Sequence, residues 1–403
     1  MYTTIRVHLK PNNKQKTKLE LYSNAAKFIY NWTLEKQLKH YAETKRFLKN
    51  GDLRKELTVL KRTEEFKWLQ DVDNNVPKQA IKDCCEVFLN YYNGNIAKPK
   101  FKNSNSKKSF YQDPLKLKIT ESYIKVAKFA KNTKANKQKL NWIRLGEKVN
   151  VPKDTPLCNP RIIYDGKYWY FTVSFLQESL VNAKQNNKGI GIDLGVKNLA
   201  ICSDGVTYSN INKSGTVCKL KDKIKHTQRK IQRKYFINNK NQPFTKGRKL
   251  HKTSNISKLD KYLKDLYKRL YNIRVNYLHQ ATANIIKNNP KFIVLEDISI
   301  KGIIKNNKYS KYILEQNWHK FRWYIEYKCL KNNIQFILAD KWFPSTKKCI
   351  KCGNIKEFIH IKERDYICYS CGNIIDRDIQ ASLNLEEYGE KQLTLVNKNI
   401  PIR

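Results

Sequence analysis

Residues 189–210 read GIGIDLGVKNLAICSDGVTYSN. An apolar strand runs into a Gly-Val-Lys-Asn turn, a second strand follows, and an Asp204-Gly205 turn leads to a third. Asp193 sits inside the first strand, where a carboxylate without a cationic partner is costly. Downstream come a basic segment and a long helix over 257–287, with Leu259, Leu263, Leu266, Leu270 and Ile273 on one seam. PKFIVLEDIS (290–299) is a short, nearly all-apolar strand, as for one buried on both faces, and Glu296 closes it. ILEQNWHKFRWYIEYKCLKNN (313–333) reads as one further helix and IQFILADKWFP (334–344) as another buried strand. Three hairpin strands, then helix–strand–helix–strand, describe a mixed sheet covered by helices.

Upstream the pattern differs. In MYTTIRVHLK, Ile5, Val7 and Leu9 alternate with Arg6, His8 and Lys10, which is a strand and not a signal peptide. Helical periodicity follows from about 14 to 92, with Phe28, Trp32 and Leu38 on one side. A helix opening near Pro77 carries Ala80, Cys84, Phe88 and Tyr91 on its apolar face. The link NIAKPKFKNSNSKKS is expected to be mobile or laid along a phosphate backbone. From Phe110 to about Val181 the pattern is β, clearest in the hairpin RIIYDGKYWYFTVSF. A helical insertion thus sits between strands of one β domain, and the polar NAKQNNK (182–188) links it to the sheet above.

The chain of 403 residues holds 80 Lys and Arg against 35 Asp and Glu, a formal charge of +45. Solubility needs far less, and such a surface repels itself unless a polyanion neutralises it. With 24 Tyr, 16 Phe and 7 Trp the basic surface also offers stacking partners for bases, so nucleic acid is the indicated partner. No apolar run approaches the roughly 20 residues of a membrane-spanning helix. Of ten cysteines, Cys84, Cys85, Cys158, Cys202, Cys218 and Cys329 show no framework spacing, which points to a reducing compartment and buried thiols.

The remaining four carry chemistry. Cys349-x-x-Cys352 and Cys368-x-x-Cys371, each followed by glycine, have the spacing of a structural four-cysteine zinc ribbon with no open coordination position. Directly after it, DRDIQASLNLEEYG begins a helix whose first turn carries Asp376 and Asp378, and acids there face the positive helix end and point back at the sheet. Alone, Asp193 or Glu296 reads as a salt-bridged or strand-end acid. Two on adjacent strands, joined by a third, can hold two Mg²⁺ ions about 4 Å apart, the arrangement that cleaves phosphodiesters by in-line attack. The ribbon is then an insertion within a nuclease fold.

GIDLGVKNLA (191–200), VLEDIS (294–299), KWFPSTKKCIKCG (341–353) and YICYSCGNIIDRDIQASLNL (366–385) resemble the RuvC-like nuclease and zinc-ribbon segments of the TnpB family. These are transposon-encoded, RNA-guided DNA endonucleases, kin to compact type V CRISPR effectors and Fanzor proteins. VPKQAIKD (76–83) resembles the start of the family's recognition-lobe helix, and DGKYWYFTVSF (165–175) its wedge hairpin. The resemblance implies Asp193, Glu296 and Asp378 as the catalytic metal ligands, with Asp376 a cap or structural acid. It implies two Mg²⁺, replaceable by Mn²⁺, and one structural Zn²⁺ on Cys349, Cys352, Cys368 and Cys371. The implied partners are a guide RNA from the transposon end and double-stranded target DNA, without a membrane and with one protein per guide RNA. The implied place is cytoplasm or nucleoid, or the nucleus of a eukaryotic host.

The implied fold is a multidomain α+β and α/β chain. It comprises a barrel-like wedge domain (1–10 and 110–181), a helical recognition lobe (11–109), a linker (182–188), an RNase H-like, RuvC mixed sheet (189–345 and 376–403) and the ribbon (346–375). Lys78 is placed for phosphate or guanine and Gln79 for adenine. Gln380 and Ser382 depart from the family's Asp-x-Asn-Ala-Ala. Two other readings exist: an RNA-guided repressor, which would replace one or more of the acids, and a transposase cutting its own ends, which would not need the ribbon.

Overall fold

The computed structural model describes residues 2–104, 106–129, 139–152, 155–176, 188–239, 251–297, 310–360 and 363–398. Of the linker 182–188 only Lys188 is among them; residues 177–181 and 399–403 of the flanking segments also lie outside the described residues. The chain divides into two compact units, Met1–Glu178 and Ser179–Arg403.

The strands of the first unit are β1 (Tyr2–Lys10), β2 (Lys108–Tyr111), β3 (Lys118–Ile119), β4 (Tyr123–Lys125), β5 (Trp142–Leu145), β6 (Leu157–Tyr164) and β7 (Trp169–Leu176). They form one sheet in the order β2-β6-β7-β1-β5-β4-β3. β1 runs antiparallel to β7 from Tyr2 opposite Leu176 to Leu9 opposite Trp169, and Val7 and Leu9 point into the core. β6 and β7 form the expected hairpin, with Gly166 at φ +98° in the turn.

The helical stretch is three helices and a 3₁₀ segment: α1 (Asn13–Thr44), α2 (Asn50–Leu60), the 3₁₀ turn Glu64–Asp71, and α3 (Asn75–Tyr92). Asn12 and Gln15 form a capping box that starts α1, and Lys45 in the left-handed region ends it. The buried face of α1 is Leu19, Tyr22, Ala25 and Ile29. Phe28, Trp32 and Leu38, expected on the apolar side, are half-buried at the edges of the apolar clusters, where Phe28 stacks on Phe66 with ring centroids 5.3 Å apart. In α3, Ala80, Cys84 and Phe88 are buried as expected, but Tyr91 is exposed. Leu19, Ile29, Leu53 and Ile81 share one apolar cluster with Val7, Phe110, Ile143 and Phe171 of the sheet. The lysine-rich link is anchored rather than free at Lys102, whose backbone exchanges two 2.8 Å hydrogen bonds with the Asn31 side chain and whose Nζ lies 3.6 Å from the Tyr30 ring centroid.

The second unit opens with β8 (Ile190–Leu194), β9 (Asn198–Cys202) and β10 (Thr207–Ser209), then α4 (Gly215–Asn238) and α5 (Ser254–Lys287). β11 (Phe292–Glu296), α6 (Ser310–Gln316), α7 (Trp318–Lys331), β12 (Gln335–Ala339), β13 (Asp365–Ile367), β14 (Ile374–Asp376) and α8 (Arg377–Lys398) follow. The main sheet has the order β10-β9-β8-β11-β12, antiparallel through β10, β9 and β8, with β11 parallel to both β8 and β12.

Three expectations are corrected. The basic segment after β10 is the helix α4, whose Val217, Leu220 and Ile224 pack on Leu266 and Leu270 of α5. The single helix expected over 313–333 is broken at Asn317, whose φ of +54° separates α6 from α7. β12 is not buried on both faces: it is an edge strand, and only Ala339 is fully buried.

Alternation in this sheet fixes what lies where. Ile190, Ile192, Ile293 and Leu295 face a core built by α5 and α7, including Leu278, Ile285, Phe321 and Ile325. Phe292 and Val294 face Leu385 of α8 on the other side. Gly191, Asp193 and Glu296 therefore share the α8 face. The approach there is close. A Cβ on Gly191 would lie 2.0 Å from the Ser382 carbonyl oxygen and 2.5 Å from the Glu386 amide, and one on Gly389 would lie 2.3 Å from the Phe292 ring. Among the described residues no helix is long and apolar enough to cross a membrane.

Because both atoms facing Gly191 belong to the backbone, they cannot move aside as a side chain would. Gly191→Ala is expected to destabilise the chain by about 1–3 kcal/mol or more, the cost of overpacking. The check is chemical denaturation; an unchanged midpoint would show that α8 does not rest on β8 in this way.

Candidate active site

Ile192 on β8 stands opposite Leu295 on β11 in parallel register. One residue further along each strand are Asp193 and Glu296, side by side at the carboxyl ends of parallel strands, where open α/β sheets bind ligands. Asp193 is 7% exposed. Glu296 accepts a hydrogen bond at Oε1 from the hydroxyl of Ser345, itself 4% exposed. Neither acid has an ion pair among the described residues.

Asp378 comes from the first turn of α8. Asp376 acts as the cap of that helix: its Oδ1 accepts from the backbone N–H groups of Asp378 at 2.9 Å and Ile379 at 3.1 Å. Asp378 is left to project. Its Oδ1 accepts from Arg377 Nη2 at 3.3 Å, and its Oδ2 faces Arg364 Nη1 at 3.5 Å. The departures at 380 and 382 are accommodated within the buried face. Ser382 donates back to the Ile379 carbonyl at 2.7 Å, and the Gln380 amide is fully buried with no hydrogen bond among the described residues.

The charges of these acids oppose one another. Burial pushes the Asp193 carboxyl well above its usual range, and repulsion from Glu296 and Asp378 adds to this, partly offset by Arg377. Burial also raises Glu296, against the pull of the Ser345 hydroxyl. The set suits a hard divalent cation: carboxylate oxygens, buried or half-buried, mutually repelling and, among the described residues, with no cationic side chain paired to the two strand acids. Among the described residues the four cysteines are grouped closely enough to hold one ion as they stand, and the three acids are not.

The Sγ atoms of Cys349, Cys352, Cys368 and Cys371 all lie within 4.8 Å of one another, with Cys349 to Cys371 at 3.7 Å and Cys352 to Cys368 at 3.5 Å. Tetrahedral zinc with Zn–S near 2.3 Å sets thiolates about 3.8 Å apart, so the donors fit. Both knuckles use one device. Gly353 N–H donates to Cys349 O and Gly372 N–H to Cys368 O, each at 2.9 Å, with φ of +77° and +70°. Burial works against Cys368 ionising, yet N–H groups of Cys371 and Ser370 bring its thiol down to about 6. A backbone N–H from Asn373 favours the Cys371 thiolate, but burial and the three neighbouring thiols push it up to about 12. Cys371 therefore gives up its proton near neutral pH only when a cation lies among the sulfurs.

In the first unit, Lys78 is exposed in the opening turns of α3. Gln79 is engaged: its Nε2 donates to Asp83 at 2.8 Å, and Asp83 takes a two-point ion pair from Arg161 at 2.8 Å. Three side chains at the acids went unread in the sequence: Ser345, Arg364 and Arg377. Arg377 stands between Asp376 and Asp378 in the sequence, and Ser345 lies in KWFPSTKKCIKCG, four residues ahead of the first knuckle cysteine.

Three family models match the chain: a probable transposase over residues 171–307, a Cas12f1-like TNB domain over 318–385, and a helix-turn-helix domain over 1–46. Within 1–46 the structure has one strand and one long helix. A Streptomyces pristinaespiralis protein provisionally named an RNA-guided DNA endonuclease is 23% identical over 381 residues, covering 93% of this chain and 86% of the relative. InsQ of Escherichia coli (strain K12), provisionally named likewise, is 22% identical over 404 residues, covering 96% and 92%. A solved Cas12f1–sgRNA–target DNA complex contains a chain with TM-score 0.57 and 12% identity, covering 96% of this chain and 98% of that one. The likeness to proteins provisionally named RNA-guided DNA endonucleases thus extends along nearly the whole chain, and the fold resembles that of Cas12f1.

Two outcomes follow. An acid whose native pKa is raised stabilises the fold most where both states are protonated, below about pH 4, and that stability is lost as pH rises through the native value. Asp193→Asn cannot ionise, so in metal-free buffer it should match the parent near pH 4 and melt about 2–5 °C higher at pH 7. An equal or lower melting point at pH 7 would show that the buried charge carries no cost. Cys352→Ser should lose its zinc by elemental analysis and exchange amide hydrogens across 345–378 at least about tenfold faster. Unchanged exchange in a zinc-free protein would refute the coupling of ribbon to helix.

Proposed function

We propose that this chain is an RNA-guided DNA endonuclease that hydrolyses phosphodiester bonds at Asp193, Glu296 and Asp378. One observation carries the reading: a buried and a half-buried acid, Asp193 and Glu296, at adjacent parallel strand ends lie under the helix whose first turn holds the third. The order β10-β9-β8-β11-β12 with α8 on one face supports an RNase H-like, RuvC-type nuclease sheet. In this reading the seven-stranded sheet is the wedge, α1 to α3 are the recognition lobe, and Lys78 and Gln79 face the motif beside the target.

Asp193 and Glu296 present oxygens from rigid strand ends, and Arg377 and Arg364 orient Asp378 toward them. Two Mg²⁺ ions, when bound, would acidify the attacking water and stabilise the leaving 3′ oxygen. Burial, with the repulsion of Glu296 and Asp378 added, raises Asp193, so a cation among the acids is what favours their ionised form, and the site is built for metal before substrate. The charge of +45 supplies the opposite field outside the site, drawing in the phosphate backbones of guide and target. Zinc would be held by the four cysteines and would shape the ribbon without touching the scissile bond.

A guide-programmed plasmid assay with DNA binding measured in parallel tests this. Asp193→Ala, Glu296→Ala and Asp378→Ala should each lower cleavage more than about 100-fold, beyond the loss typical of an outer-shell change, while guided binding persists. Mg²⁺ or Mn²⁺ should support cleavage and Ca²⁺ should not. Cleavage by Glu296→Ala, or by the parent protein in excess EDTA, would sink the two-metal reading. Guide-independent cutting of specific ends would return the transposase reading that the model over 171–307 suggests.

A further inference from the structure

The four residues between Pro344 and the first knuckle, Ser345–Lys348, form a strap tied on three sides. Ser345 Oγ donates to Glu296 Oε1 at the end of β11. The carbonyl oxygens of Ser345 and Lys348 both accept from Asn384 Nδ2 on α8, at 2.7 and 2.6 Å. The Lys348 ammonium pairs with Glu387 one turn further along the same helix. Turn hydrogen bonds of 3.0 Å from the N–H groups of Lys347 and Lys348 to the Pro344 carbonyl keep the strap compact, and Cys349 follows directly. Asn384 is fully buried.

We propose that Ser345 is a positioning residue that holds the Glu296 carboxylate in its working orientation, and that the strap makes this orientation depend on the closed ribbon. The inference rests on the reading of Glu296 as a site acid. Glu296 has three side-chain torsions and stands at a strand end, so packing of its neighbours does not fix its head group. A hydroxyl on Oε1 removes that freedom and leaves Oε2 as the oxygen available to a cation. Outer groups of this kind set the affinity of the ligands they touch. The hydroxyl can do so only while its own backbone is held, and Asn384 grips that backbone on both sides of the residues leading to Cys349.

Mn²⁺ affinity, read by electron paramagnetic resonance on the zinc-loaded full chain without nucleic acid, tests the proposal together with single-turnover cleavage. Ser345→Ala should weaken Mn²⁺ binding and slow cleavage by about 10–100-fold with zinc content and guided DNA binding unchanged. Ser345→Thr, which keeps the hydroxyl, should return both to within about threefold of the parent, since a purely structural loss would not follow the hydroxyl. Unchanged Mn²⁺ affinity and cleavage in Ser345→Ala overturn the proposal, as does a loss that Ser345→Thr does not restore. If Ser345→Ala sheds zinc, Ser345→Cys takes its place, being close in size and a weak donor; parental Mn²⁺ affinity there also overturns it. Glu296→Ala is run beside these. If it still cleaves, the site reading itself fails; if it does not and Ser345→Ala does so normally, only the positioning role fails.

Discussion

The second unit depends on one contact between two backbones. α8 lies so near β8 that the Ser382 carbonyl and the Glu386 amide occupy the space a side chain at position 191 would need. Since strand residues alternate, the glycine that admits the helix also determines that Asp193, two positions on, lies beneath it. A one-residue slip would bury Ile192 under the helix and turn Asp193 into the apolar core of α5 and α7. The same contact places the first turn of α8 over the ends of β8 and β11. Close packing and the convergence of three acids are therefore one geometric fact.

That convergence runs against electrostatics. Asp193 is buried, its neighbours repel it, and α8 brings another carboxylate toward it. The arginines that approach are directed at Asp378, not at the strand acids. A fold selected for stability alone would place a cation or an apolar residue at 193. The polar lining continues along α8 through Gln380, Ser382 and Asn384, all fully buried, where apolar side chains would pack at lower cost. Such departures gather where a chain has a chemical task.

How much of this the sequence disclosed follows from the kind of signal each feature leaves. β8, β9 and β11 were legible as short apolar runs bounded by turns, and the knuckles by spacing alone. α4 was not, because lysines and arginines crowd a helix whose apolar seam is only Val217, Leu220, Ile224 and Ile231. β12 is as apolar as β11 in composition, and its edge position depends on strand order, which no local pattern states. The break at Asn317 rests on a single left-handed residue. Among the acids, the residues left Asp376 and Asp378 equivalent; the hydrogen bonds from the N–H groups of Asp378 and Ile379 distinguish the cap from the acid that projects. Ser345 was invisible for a different reason: its partner is 49 residues away, and a through-space hydrogen bond has no sequence period.

The place of the ribbon in the chain acquires a physical reason from its two ends. On entry, the strap carries Ser345 to Glu296. On exit, the hairpin of β13 and β14 aligns Asp365 with Asp376, and the Arg377 N–H donates to the Arg364 carbonyl at 2.8 Å. The two arginines beside Asp378 thus come from the two limbs of that hairpin, immediately before β13 and after β14. A cation among the sulfurs, which the raised Cys371 thiol needs in order to ionise, would close the loop between entry and exit and fix both limbs at once. A domain appended at either terminus could bind metal equally well but would reach neither acid. Inserted between the last strand and the last helix of the sheet, it acts on Glu296 from one side and Asp378 from the other, leaving Asp193 to the β8–β9 hairpin.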